Sequence, residues 1–152
     1  MGRADAAGAS ELQRFVVAQD ADGTFVRALE ELRSGRKRTH WMWFVFPQLA
    51  GLGNSPTAVR FALGSLDAAA AYVRHPVLGD RLRAATDALL DLDPGAGTAD
   101  DILGTVDAMK LRSSATLFAR ADTDDARYRR ILDRYFDGLP DPRTEELLGP
   151  GD

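Results

Sequence analysis

Apolar residues recur at helical spacing along nearly the whole chain. Leu12, Phe15, Val16 and Ala18 outline a first short helix, opened by Ser10 and broken by Asp20-Ala21-Asp22-Gly23. Phe25, Ala28, Leu29 and Leu32 form the stripe of a second, which starts at Gly23 or Thr24 and closes at Ser34-Gly35. Ser55-Pro56 and Ser65 each supply a hydroxyl cap for a further helix, and His75-Pro76 stops the latter. A longer helix runs from Val77 or Gly79 to about Leu92. Thr98 with Asp101 resembles a capping box for a short helix through Leu103. Asp107 to Arg120, a helix capped by Asp124 and ended by Gly138, and a last segment from Asp141-Pro142 to Leu148 complete the pattern. No two segments alternate with period two. The expected fold is mainly α, a compact single domain of seven to nine helices with little or no sheet. It spans residues 10–148, with 1–9 a disordered tail and 149–152 a flexible one.

One stretch stands out from this pattern. Thr39-His40-Trp41-Met42-Trp43-Phe44-Val45-Phe46-Pro47-Gln48 holds both tryptophans and follows Arg36-Lys37-Arg38 directly. A helix from His40, capped by Thr39, would be limited by Pro47 to about two turns. A strand would find no partner. Trp and Phe suit a core, but cations leading into a core segment must be paired or stay wet. The segment therefore reads as half core and half ligand site.

Composition narrows the function classes. A net charge of −4 opposes general nucleic-acid binding, which needs a basic surface. The local run Arg36-Lys37-Arg38 instead suits a small anion held at one place. With no cysteine and only two histidines, no disulfide or metal site is expected. No apolar run spans a bilayer, and no signal-like stretch opens the chain, so the expected location is cytoplasmic. P-loop, GxGxxG and GxSxG signatures are absent, and no cofactor is expected.

Two clusters remain. The first is Arg36, Lys37, His40, Trp41, Trp43 and Gln48; the second is Asp107, Lys110, Arg112, Ser113 and Ser114. Each has a plain alternative. Arg36 and Lys37 can simply complement a helix C-terminus, His40 can be a backbone-bonded histidine, and Lys110 a surface residue. Trp41 and Trp43 cannot share one helix face, so one of them can line a groove. Gln19 and Asp20 end the first helix and can be no more than its cap. Three hydroxyls at Ser113, Ser114 and Thr116 suggest a helix end, close helix packing or a polar pocket.

The string Gly35-x-Lys37-x-x-His40-Trp41-Met42-Trp43-Phe44-x-Phe46-Pro47-Gln48-x-x-Gly51-Leu52-Gly53-x-Ser55 resembles the hallmark of the bacterial domain-of-unknown-function family numbered 1810. Asp107-x-x-Lys110-Leu111-x-Ser113-Ser114 and Tyr135-Phe136-x-Gly138 agree with it in order, and the likeness covers roughly residues 12–148. That family is described as mainly α-helical. A further likeness to the NADAR (YbiA-like) group implies chemistry on NAD or ADP-ribose, with cleavage of an N-glycosidic bond. This would give His40, Lys110 and Asp107 catalytic roles, Lys110 as a Schiff-base amine being one version. Arg36, Lys37, Trp41, Trp43, Gln48, Arg112, Ser113, Ser114, Gln19 and Asp20 would bind a nucleotide-like or ADP-ribose-like anion. The rivals are a non-catalytic small-molecule sensor and a protein-interaction module using the aromatic segment 41–48. Convergence of the two clusters on one concave pocket separates these readings.

Overall fold

The computed structural model describes residues 2–150, with side chains from Glu11 onward. The helices are α1 (Gly2–Asp20), α2 (Thr24–Arg33), α3 (Met42–Val45), α4 (Pro56–Arg60), α5 (Leu66–Arg74), α6 (Leu78–Leu90), α7 (Ala99–Leu103), α8 (Thr105–Ala121), α9 (Arg127–Tyr135) and α10 (Pro142–Leu148). The fold is mainly α. The one β-type pairing among the described residues is an isolated parallel bridge between Leu49 and Leu63.

Short-range chemistry sets most helix starts. Ser55 and Ser65 accept hydrogen bonds from Ala58 and Ala68 N–H, the Thr98–Asp101 capping box is complete, and Asp141 accepts from Thr144 N–H. Three places differ from the expected boundaries. α1 starts at Gly2, with Ser10 inside it, because the Ala-rich residues before Ser10 favour helix. α9 starts at Arg127, whose N–H donates to Asp125 instead of Asp124. α3 is a single turn without a side-chain cap, since the Thr39 hydroxyl donates at 2.6 Å to Glu31.

α8 lies at the centre, packed against α3, α5, α7, α9 and α10. Its buried residues run from Ala108 to Phe118 and include Ser113, Ser114 and Thr116. These small side chains let neighbouring helices approach closely. The Ser113 and Thr116 hydroxyls turn back to the carbonyls of Met109 and Arg112, so they are satisfied without water. Thr116 also accepts from Asp141 N–H at 2.8 Å, which docks α10 on α8.

Six aromatic rings form a continuous chain through this core. Phe44 touches Phe61, then Phe15, Tyr72, Phe118 and Tyr128 follow at centroid distances of 5.2–5.7 Å. The chain ties α3 to α1, α5, α8 and α9. Polar contacts finish the attachment: the Phe44 carbonyl accepts from Gln19 Nε2 at 2.8 Å and from the Tyr72 hydroxyl at 3.3 Å. An otherwise unstable single turn is thereby held rigidly against the core.

Candidate functional site

The site begins where α2 ends. Gly35 adopts φ +77°, a left-handed conformation that suits glycine, and the Gly35 and Arg36 N–H groups donate back to Leu32 and Glu31. Lys37 N–H then donates at 2.8 Å to the Ile102 carbonyl, pinning the loop to α7. Beneath the loop lies Glu31, a buried acid absent from the candidates above. Its carboxylate accepts from Arg38 N–H, Thr39 N–H, the Thr39 hydroxyl and the Trp41 indole at 2.6–3.0 Å. Burial pushes the Glu31 carboxyl up, but these four donors outweigh it and hold it down at about 2. Its position three residues after Ala28 and beside Leu32, on the apolar stripe of α2, is the sequence signal that would have singled it out.

This knot aims Lys37 inward, toward α8. Lys37 Nζ donates to Asp107 Oδ2 at 2.9 Å and also to the Thr39 carbonyl, and it sits 5.0 Å from the Trp41 ring centroid. From the other side, Lys110 Nζ donates to Asp107 Oδ1 at 3.0 Å and lies 3.9 Å above the Trp43 ring. One carboxylate thus bridges two ammoniums, each resting on a different tryptophan. Desolvation pushes the Asp107 carboxyl up, but the two lysines prevail and lower it. Two cations against one anion leave the cleft with excess positive charge.

Lys37, His40, Trp41, Trp43, Asp107 and Lys110 all line this cleft of about 270 Å³. The two sequence clusters therefore meet, though only in part. His40 is exposed at the wall, Trp41 is fully buried and Trp43 is half-buried. Gln48 and Ser113 line an adjoining cleft of about 380 Å³, which shares Trp43 and Lys110 with the first.

The other candidates sit elsewhere. Arg36 is exposed and contributes only its backbone N–H. Arg112 donates to the Leu139 and Pro140 carbonyls at 2.9 Å, holding the segment before α10. Ser114 is buried with an unpaired hydroxyl and does not line the cleft. Gln19 is buried and saturated by Phe44, Tyr72 and Arg81, and Asp20 pairs with Arg81 at 2.8 Å. Among the described residues, no group of three or more His, Asp or Glu is placed to hold a metal ion. Nor is any helix among them long and apolar enough to cross a membrane.

A family model described as "Protein of unknown function (DUF1810)" matches residues 9–148. Among solved structures, the crystal structure of the conserved hypothetical protein Rv1873 from Mycobacterium tuberculosis is similar, with a TM-score of 0.86 and 46% identity. The match covers 91% of this chain and 96% of that one. No curated protein matches the chain.

Proposed function

This chain belongs to the family described as protein of unknown function, DUF1810, and we propose that its central cleft binds a small nucleotide-like anion of the ADP-ribose type. The observation that carries the reading is the Lys37–Asp107–Lys110 bridge beside Trp43. Lys110 spends one donor on Asp107 and Lys37 two on Asp107 and Thr39, so each ammonium keeps a donor for a phosphate oxygen. Size bounds the ligand. Small-molecule sites commonly measure about 300–1,000 Å³, and this cleft lies just under that range. A ribose phosphate fits within it, while a full ADP-ribose would extend into the adjoining cleft.

A hydrolytic role rests on a second observation: Asp107 is the carboxylate of this cleft and is held ionised there. An anion so placed opposes the positive charge that develops on ribose as an N-glycosidic bond breaks. Water adds to the anomeric carbon as the base departs with the bonding electron pair, and exposed His40 takes up the proton that the water gives off. The Lys110 ammonium lies between Asp107 and the Trp43 ring, which suits a binding cation better than a free-amine nucleophile. The interaction-module reading gains no support from the aromatic segment, because Trp41, Met42, Val45 and Phe46 are buried in the core.

Thermal unfolding against ADP-ribose, NAD, riboflavin precursors and inorganic phosphate tests the binding. A ligand at about 100 times its Kd adds about 2.7 kcal/mol of stability. The expected result is a raised melting temperature with ADP-ribose that Lys37→Met and Lys110→Met each diminish. A flat response across the panel contradicts the reading. Hydrolysis is tested by chromatographic detection of free nicotinamide from NAD, with loss of release expected in Asp107→Asn and His40→Ala. Binding without release by the native chain leaves a sensor and rejects the enzyme.

A further inference from the structure

We infer that the cleft on the far side of Trp43 is a base subsite, built to hold a flat heterocycle whose edge carries a hydrogen-bond donor next to an acceptor. This deepens the proposed function and rests on the reading of the Lys37–Lys110 cleft as a phosphate or ribose-phosphate site.

The leading observation is Gln48. It is 8% exposed, yet its side-chain amide has no hydrogen-bond partner among the described residues, and it lines the 380 Å³ cleft. Its backbone, by contrast, is fixed. The Gln48 carbonyl accepts from Leu63 N–H at 2.9 Å, and Ala50 N–H donates to the Leu63 carbonyl at 2.8 Å, on either side of the Leu49–Leu63 bridge. A side-chain amide open to the cleft on a rigid backbone, with donor and acceptor both unused, has the pattern that pairs with a base edge or a ring carboxamide. Gln19, near the end of α1, shows the alternative, since its amide is fully taken up by the protein.

The walls agree with a planar occupant. Leu52, Val106 and Met109 bound the cleft, and Val106 and Met109 are each 66% exposed, apolar surface that a ring would cover. Arg143 lines the same cleft and forms no ion pair among the described residues. Asp141, also in the lining, is occupied by the N–H and hydroxyl of Thr144. Because Lys110 and Trp43 belong to both clefts, a single ligand can lie across Lys110, with its anionic end toward Lys37 and its ring toward Gln48.

Calorimetric titration with inorganic phosphate, ribose 5-phosphate and AMP decides the matter. The native chain is expected to bind AMP about tenfold more tightly than ribose 5-phosphate, the size of effect of one net hydrogen-bonded pairing. In Gln48→Leu, and in the isosteric Gln48→Glu that guards against a folding artefact, the ratio of the two affinities should fall to about one. Equal affinities in the native chain, or a ratio retained in both variants, would overturn the base subsite and leave the phosphate reading standing. AMP binding undiminished in Lys37→Met would overturn the phosphate reading and leave the subsite. Binding of none of the three probes overturns both.

Discussion

On one flank of α3, Gln19 gives its amide to Phe44, Tyr72 and Arg81, while Glu31 collects four donors from the loop ahead of the helix. On the other flank, Gln48 is 8% exposed against 1% for Gln19 and its amide pairs with nothing, and Lys37 and Lys110 share one carboxylate between them. Both flanks carry largely enclosed polar side chains. What differs is satisfaction: saturated polar groups hold the turn in place, and unsaturated ones face a cavity. The contrast sets the groups that hold the turn apart from those open to the cleft.

Glu31 gives the largest expected effect. Glu31→Ala orphans the donors of Arg38, Thr39 and Trp41 and should lower stability by about 3 kcal/mol in urea unfolding, the range seen for broken buried charge networks. A loss below about 0.5 kcal/mol would place Glu31 among dispensable surface residues. The same group sets a pH dependence. Its folded value of about 2 lies below the ordinary 4.5, so its stabilisation is complete above the ordinary value and is lost as pH falls toward the folded one. Unfolding curves of the native chain should weaken across that interval, and those of Glu31→Gln should be flatter.

A smaller effect compares the two glutamines directly. Gln19→Leu removes one of two donors to the Phe44 carbonyl and one of two acceptors of Arg81 and should cost about 1 kcal/mol, whereas Gln48→Leu should change stability by less than about 0.5 kcal/mol. Equal losses would break the comparison. Next comes Asp107→Asn, which removes the anion neutralising both lysines. Phosphate affinity should rise severalfold while any glycosidic turnover is lost; a fall in phosphate affinity would mean that Asp107 orders the site more than it screens it. Arg36→Ala comes last, with phosphate affinity unchanged, because this side chain lies outside the cleft.

Local chemistry was readable from the chain, and long-range chemistry was not. Ser55, Ser65, Thr98 and Asp141 bond within three residues of themselves, so spacing alone identifies them as caps. Thr39 has the same hydroxyl but spends it on Glu31, eight residues back, which no local rule anticipates. Direction was the other hidden quantity. Arg36, Lys37 and Arg38 read as one basic run, yet the loop turns only Lys37 into the cleft. Arg112, two residues after Lys110 on α8, points away from it, as helical spacing requires. Whether the 36–48 and 107–118 segments meet is left open by residue types, and their partial meeting depends on packing of α3 and α8 through the core.

The two tryptophans allow the most direct test of the cleft. A ¹⁵N-correlated spectrum of the chain should show two indole N–H resonances, one from Trp41 bonded to Glu31 and one from half-buried Trp43. Titration with ADP-ribose is expected to shift the Trp43 resonance and its line shape more than the Trp41 resonance, whose indole N–H is held by Glu31. A Trp43 resonance unmoved at saturating ADP-ribose would contradict the account.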